Sequence, residues 1–128
     1  MPVSSAVAVG AATTFFREKA LTNAAVVADA DSGTIRMIDC DNTANSATTF
    51  FKLFNLAAAS VVFHAATPGS STNPYIVIPA TAAKRIVVTI DTADVTFATA
   101  ISCAAVTTGG TLGTTAPTTA VGMRMLLA

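Results

Sequence analysis

The sequence predicts an all-β domain, a single sandwich of about eight antiparallel strands (jelly-roll or Ig-like) with an extended N-terminal arm, and three observations carry that prediction. Thr and Val are abundant while Glu occurs once, a balance that favours extended backbone over helix. Short apolar runs recur along the chain, separated by Gly, Pro, Asn and Asp clusters at spacings suited to strands. In the clearest runs apolar and polar residues alternate, the period of a strand buried on one face. At 128 residues the chain suits one domain that buries roughly two thirds of its unfolded surface. Such a core needs no disulfide framework.

Strands are predicted at Ala24 to Ala28, Thr34 to Asp41, Thr48 to Asn55, Tyr75 to Ile78, Lys84 to Ile90, Val95 to Ala98, Ile101 to Thr107 and Ala120 to Leu127. In Lys84 to Asp91, Ile86, Val88 and Ile90 point one way while Arg85, Thr89 and Asp91 point the other. In the last strand Val121, Met123, Met125 and Leu127 form one face, with Gly122, Arg124 and Leu126 on the other. Pro79 has no N–H to donate, so Ile78 is expected to close its strand. Turns are read at Asp31-Ser-Gly33, Asp41-Asn42, Thr67 to Pro74, Asp91 to Asp94 and Gly109 to Pro117. The stretch Leu56 to Ala66 fits a short helix or a buried strand equally well. Residues 1–23 read as an arm and 24–128 as the sandwich, because Val3 to Thr14 is a mixture of small residues with little to bury. Neighbouring subunits are expected to clamp that arm.

Composition excludes several function classes. Seven basic and seven acidic residues leave no net charge, and basic side chains are scattered, so the electrostatic footprint of a nucleic-acid binder is missing. Hydrophobic residues make up 52% and charged ones 11%, the reverse of a disordered tail. The longest apolar runs, such as Leu56 to Phe63, are far shorter than the ~18 residues that mark a membrane-spanning helix. No basic residue precedes the mild apolar stretch at the N-terminus, which argues against a secretory signal.

Each group that could carry chemistry has a plainer reading. His64 is the lone histidine and could pair with Cys40 or Cys103 as base and nucleophile, but no catalytic signature surrounds either thiol. Both cysteines read as buried thiols. Asp29-Ala-Asp31-Ser-Gly33 begins like a calcium loop, yet Thr34 and Cys40 stand where the required Gly and Glu belong, so it reads as a turn. Gly109-Gly-Thr-Leu-Gly113 has no following Lys for a phosphate and reads as a flexible connection. A single Glu, a single His and the absence of Trp leave little acid–base machinery and no sugar platform, so no enzyme, cofactor, metal or small-molecule substrate is expected.

The segment Thr48 to Asn55 is the most informative. As a strand it sends Phe50, Lys52 and Phe54 to one face and Phe51, Leu53 and Asn55 to the other, so both faces carry large apolar groups. One face is core. The other is either an internal layer or a surface that meets another subunit.

The strand Phe50-Phe51-Lys52-Leu53-Phe54-Asn55, the segment Asn73 to Ala80 ending in Ile-Pro-Ala, the run Val95 to Thr108 with its Phe-Ala-Thr-Ala-Ile-Ser core, and the final hydrophobic strand follow one another in an order that resembles small β-sandwich virion proteins of tailed bacteriophages. The resemblance covers roughly residues 24 to 128. It implies a decoration or cement protein that binds the major capsid protein between capsomers and associates with copies of itself as a homotrimer. The place implied is the capsid surface, after synthesis in the host cytoplasm; no catalytic residue, nucleic acid or membrane is implied. A neck, tail or fibre component is the alternative within the same class, and a secreted carbohydrate- or protein-binding module lies further off. Phe15, Phe16 and Arg17, where the arm joins the body, are the first candidates for inter-subunit contact, followed by Phe50, Lys52 and Phe54. Deleting Met1 to Thr14 is expected to leave a folded body that no longer cosediments with its shell; shell binding retained by the truncated chain would overturn that role for the arm.

Overall fold

The structure is a computed structural model, described over residues 14–63, 71–90 and 95–128. Over these residues the chain runs through β1 (Thr14–Leu21), β2 (Val26–Asp29), β3 (Gly33–Asp41), β4 (Thr49–Phe54), a single 3₁₀ turn (Ala58–Ser60), β5 (Ile76–Ala80), β6 (Arg85–Thr89), β7 (Thr96–Phe97), β8 (Ile101–Val106) and β9 (Val121–Leu127). One sheet has the order β1-β9-β3-β6, with the short β7 also paired to β3; the other has the order β2-β8-β4-β5. All pairings are antiparallel. Setting β7 aside, consecutive strands lie in opposite sheets except for β4 and β5, which form a hairpin. This is the order of a jelly roll rather than of an immunoglobulin sandwich.

Every strand expected from the pattern is present, with ends displaced by a residue or two, and one strand was not foreseen. The second half of the supposed arm is β1, which zips onto β9 from Thr14 opposite Leu127 to Leu21 opposite Val121, with a bulge between Glu18 and Leu21. Leu21 is wholly buried. The sandwich therefore begins at residue 14 rather than 24, while residues 1–13 lie outside the described stretch. The expectation that Ile78 closes β5 also gives way, since the strand continues through Pro79 to Ala80. Proline is tolerated there because β5 is the outermost strand of its sheet, where a missing donor need not break a ladder.

The inner faces meet in one core. Ile35, Ile38, Cys40, Val121, Met123, Met125 and Leu127 from the first sheet pack against Phe51, Leu53, Ile78, Ile101, Cys103 and Ala105 from the second. The alternation expected for the last strand holds: Val121, Met123, Met125 and Leu127 are buried and Gly122, Arg124 and Leu126 half-buried. In β6, Ile86 and Val88 lean inward while Arg85, Val87 and Thr89 are exposed.

One end of the sandwich is tied by amide side chains. Asn42 donates Nδ2–H bonds to the carbonyls of Ala47 (2.9 Å), Ala80 (2.9 Å) and Thr81 (3.1 Å). Its Oδ1 accepts from Asn45 Nδ2 (3.0 Å) and from the Thr49 hydroxyl (2.8 Å). Asn45 in turn exchanges bonds of 2.8 Å with the backbone of Thr119, and its carbonyl accepts from Ala83 N–H at 2.8 Å. Ala83 needs that support, because it holds a left-handed φ of 56° in the β5–β6 turn. Three connections, β3–β4, β5–β6 and β8–β9, thus meet on two fully satisfied buried amides. Replacing Asn42 with Ala strands buried carbonyls at a cost of about 3 kcal/mol, which should lower Tm by about 10 °C in calorimetry. Ser46→Ala, at an exposed position of the same turn, should leave Tm within about 1 °C.

Candidate functional site

The two outer faces of the sandwich differ. The outer face of the second sheet carries Phe50, Lys52 and Phe54 of β4 beside Ser102, Ala104 and Val106 of β8, each directly paired across the ladder. The chain covers this face with its own connections. Phe54 meets the Phe63 ring edge-on, with centroids 5.6 Å apart, and Ser102 Oγ donates to the Leu56 carbonyl at 2.6 Å. Lys52 Nζ donates to the Leu112 carbonyl at 3.1 Å, and Phe50 lies so close under Gly109 that a Cβ there would stand 2.9 Å from the ring.

The glycine-rich segment is therefore a fitted cover rather than a flexible hairpin. Gly113 is buried at φ 109°, and a Cβ on it would fall 2.4 Å from Thr108 Cβ, so only glycine fits. Asn23 fastens the same loop through its Nδ2–H bond to the Thr114 carbonyl at 2.6 Å.

This corrects the expectation that Phe50, Lys52 and Phe54 present a surface to another subunit. Lys52 and Phe54 are buried within their own chain and Phe50 is half-buried. The second large apolar face of β4 is an internal layer.

Among the described residues nothing covers the outer face of the first sheet, and the ladder arranges it in rows. Phe15, Leu126, Met37 and Thr89 stand side by side across β1, β9, β3 and β6. The next row holds Arg17, Arg124, Asp39 and Val87. Phe15 and Val87, at the two margins, are 57% and 56% exposed. Of the first three contact candidates, Phe15 and Arg17 lie on this face, while Phe16 turns inward and packs against the core.

Asp39 organises the charged row. Its carboxylate accepts Arg85 Nε–H at 2.7 Å and Arg124 Nε–H at 3.0 Å, and each guanidinium adds a second bond through Nη2. The carboxylate is nearly buried while both arginines remain more than a third exposed, so their outer edges face solvent. Arg17 sits directly across the ladder from Arg124. Arg17 and Arg124 of this row and Arg85 of the next lie beside Asp39 and Asp41, and the shallow groove of about 380 Å³ that they border also reaches Glu18 and Lys19, four basic groups against three acidic ones. The Thr43 hydroxyl and N–H both bond to Asp41 and hold its carboxyl below the usual carboxylate range. Asp39 and Arg124 were visible in the sequence as charges inside apolar strands, but their partnership depends on β3 and β9 being neighbours.

The remaining candidate groups take structural roles. Cys40 and Cys103 are buried free thiols in the core. Burial pushes Cys103 up to about 12 and Cys40 further still, with Asp39 adding to the shift at Cys40, so neither is a thiolate nucleophile at neutral pH. Asp29 Oδ1 accepts the Asp31 N–H at 3.0 Å and closes the turn before β3. Among the described residues no three of His, Cys, Asp and Glu are placed to hold a metal. His64 lies outside the described residues. No family model, curated protein or solved structure matches this chain.

Burial holds the Lys52 ammonium below the ordinary lysine value of 10.5. Between the two values the unfolded chain binds more protons than the folded one, so this group makes stability rise as pH climbs toward 10.5. Lys52→Met should fold and show a shallower rise in denaturation midpoint over that range than the parent chain. Parallel pH profiles for the two proteins would assign the charge no such cost.

Proposed function

We propose that this chain is a non-enzymatic structural protein of a tailed-bacteriophage virion, a decoration or cement protein that binds the major capsid protein at the capsid surface. The observation that supports this most is the contrast between the two sheets. One outer face is sealed by the chain's own loops, and the other is left uncovered by any described residue, with Phe15, Leu126 and Met37 beside Arg17, Arg124 and Arg85. Apolar area next to oriented arginines is the composition of a protein-binding patch, where aromatic and Arg side chains contribute most of the affinity. Both cysteines are packed in the core, Asp29 and Asp41 bind turn N–H groups, and Asp39 is paired with Arg85 and Arg124, which suits a protein that works by adding interface. Jelly rolls serve viral capsids and lectins alike, so the fold lends support by analogy only.

The contact surface under this reading is the Phe15 and Arg17 face together with the residues that precede it. The double variant Phe15→Ser, Arg17→Glu should keep its Tm within about 2 °C, since both side chains are exposed. It should lose shell binding by at least about tenfold in cosedimentation with empty phage capsids. A folded variant that binds shells as well as the parent would reject the face, and a parent chain that ignores shells would reject the function.

A further inference from the structure

We propose that two copies of this chain join edge to edge through β6, about a two-fold axis, into one continuous sheet. The backbone carries the argument. Asn42 N–H bonds to the Lys84 carbonyl at 2.9 Å and Ile90 N–H to the Arg36 carbonyl at 2.8 Å, so residues 84 and 90 aim their polar groups at β3. With the strand period of two, the N–H and C=O groups of Arg85, Val87 and Thr89 aim the other way, out of the sheet. No described residue bonds to them. An edge in this state is a template for another strand.

The other three edges are protected, which makes the exposure of β6 selective. On β5 the protection is Pro79, on β2 a length of four residues and a bulge between Val27 and Asp29. On β1 it is a bulge after Glu18 and the charged run Arg17-Glu18-Lys19. By contrast Ile86-Val87-Val88-Thr89-Ile90 has no proline, glycine or charge, and its register with β3 runs unbroken from Arg85 opposite Asp41 to Thr89 opposite Met37.

The occupant is a second copy because the strand is complementary to itself. In an antiparallel pair centred on Val87, Val87 faces Val87 and Arg85 faces Thr89, and each of these pairs exchanges both backbone bonds. Across the axis Ile86 meets Val88 on the inner side, covering residues left half-buried in the single chain. No charge meets its like, because Arg85 lies opposite Thr89 and is held by Asp39 of its own chain. The contact is isologous and closes on itself as a dimer. It is an alternative to the homotrimer implied by the sequence resemblance, and it stands independently of binding to any shell.

A five-residue edge buries less area than a permanent interface, so the dimer should be concentration-dependent. The test is light scattering on the full chain, without shells, from low to high micromolar concentration. The expected mass climbs from 12.9 kDa toward twice that value. Val87→Lys, which sets two ammonium groups against each other across the axis while touching no bond inside the chain, should stay at the monomer mass with an unchanged circular dichroism spectrum. Should that variant fail to fold, hydrogen exchange on the parent decides: the amides of Arg85, Val87 and Thr89 should slow by at least about tenfold at high concentration. A parent that stays monomeric or forms a trimer, a folded Val87→Lys that dimerises as well as the parent, or edge amides indifferent to concentration would overturn the proposal.

Discussion

Two buried amides, Asn42 and Asn45, set the condition under which the rest of this sandwich holds. A jelly roll sends its chain back and forth between sheets, so its connections pile up at the ends, where backbone carbonyls lose water without gaining ladder partners. Here the β3–β4, β5–β6 and β8–β9 connections crowd together at one end, and Asn42 offers donors and an acceptor to groups from each neighbouring turn. The β8–β9 connection is anchored by Asn45 on Thr119 before it enters β9 and by Asn23 on Thr114 further out. That anchoring lets a long loop lie flat over the second sheet. Without it Phe50 and Lys52 would lose their cover.

The two sheets consequently have different physical characters. The second is apolar on both faces and behaves as the middle layer of three, between the shared core and the loop cover. The first has the alternation of a sheet that faces solvent on one side, with its charges gathered around Asp39. A carboxylate so nearly buried is stable only with its lone pairs filled, and two arginines from neighbouring strands fill them. The same pairing holds both guanidinium planes in place, so their free edges are ordered before any partner arrives.

How much of this was legible depended on whether the information was local. The period-two runs in β6 and β9 located strands and faces because a single sheet face was enough to specify them. Strand β1 was not legible, since Thr14 to Lys19 alternates weakly and only its ladder with β9 makes it a strand. Two large faces on β4 left open whether the second met another subunit or the chain itself, because much of the cover is a loop that begins more than fifty residues later in the chain. Pro79 misled for the same reason: whether it breaks a strand depends on being at an edge, and edges are set by topology. Likewise Asp39, Arg85 and Arg124 come from three separate strands and carry no spacing that sequence could reveal.

The position of β9 governs when the first sheet can exist at all. It lies between β1 and β3, so until residue 127 has been synthesised the sheet lacks a central strand and remains two separate pieces. During that interval β1 has no ladder, β3 shows an unpaired edge, and the apolar side chains that will face Met123 and Met125 are uncovered. The chain is thus assembled with its most distant contacts formed last, a high contact order that slows folding and leaves sticky strands exposed on the ribosome.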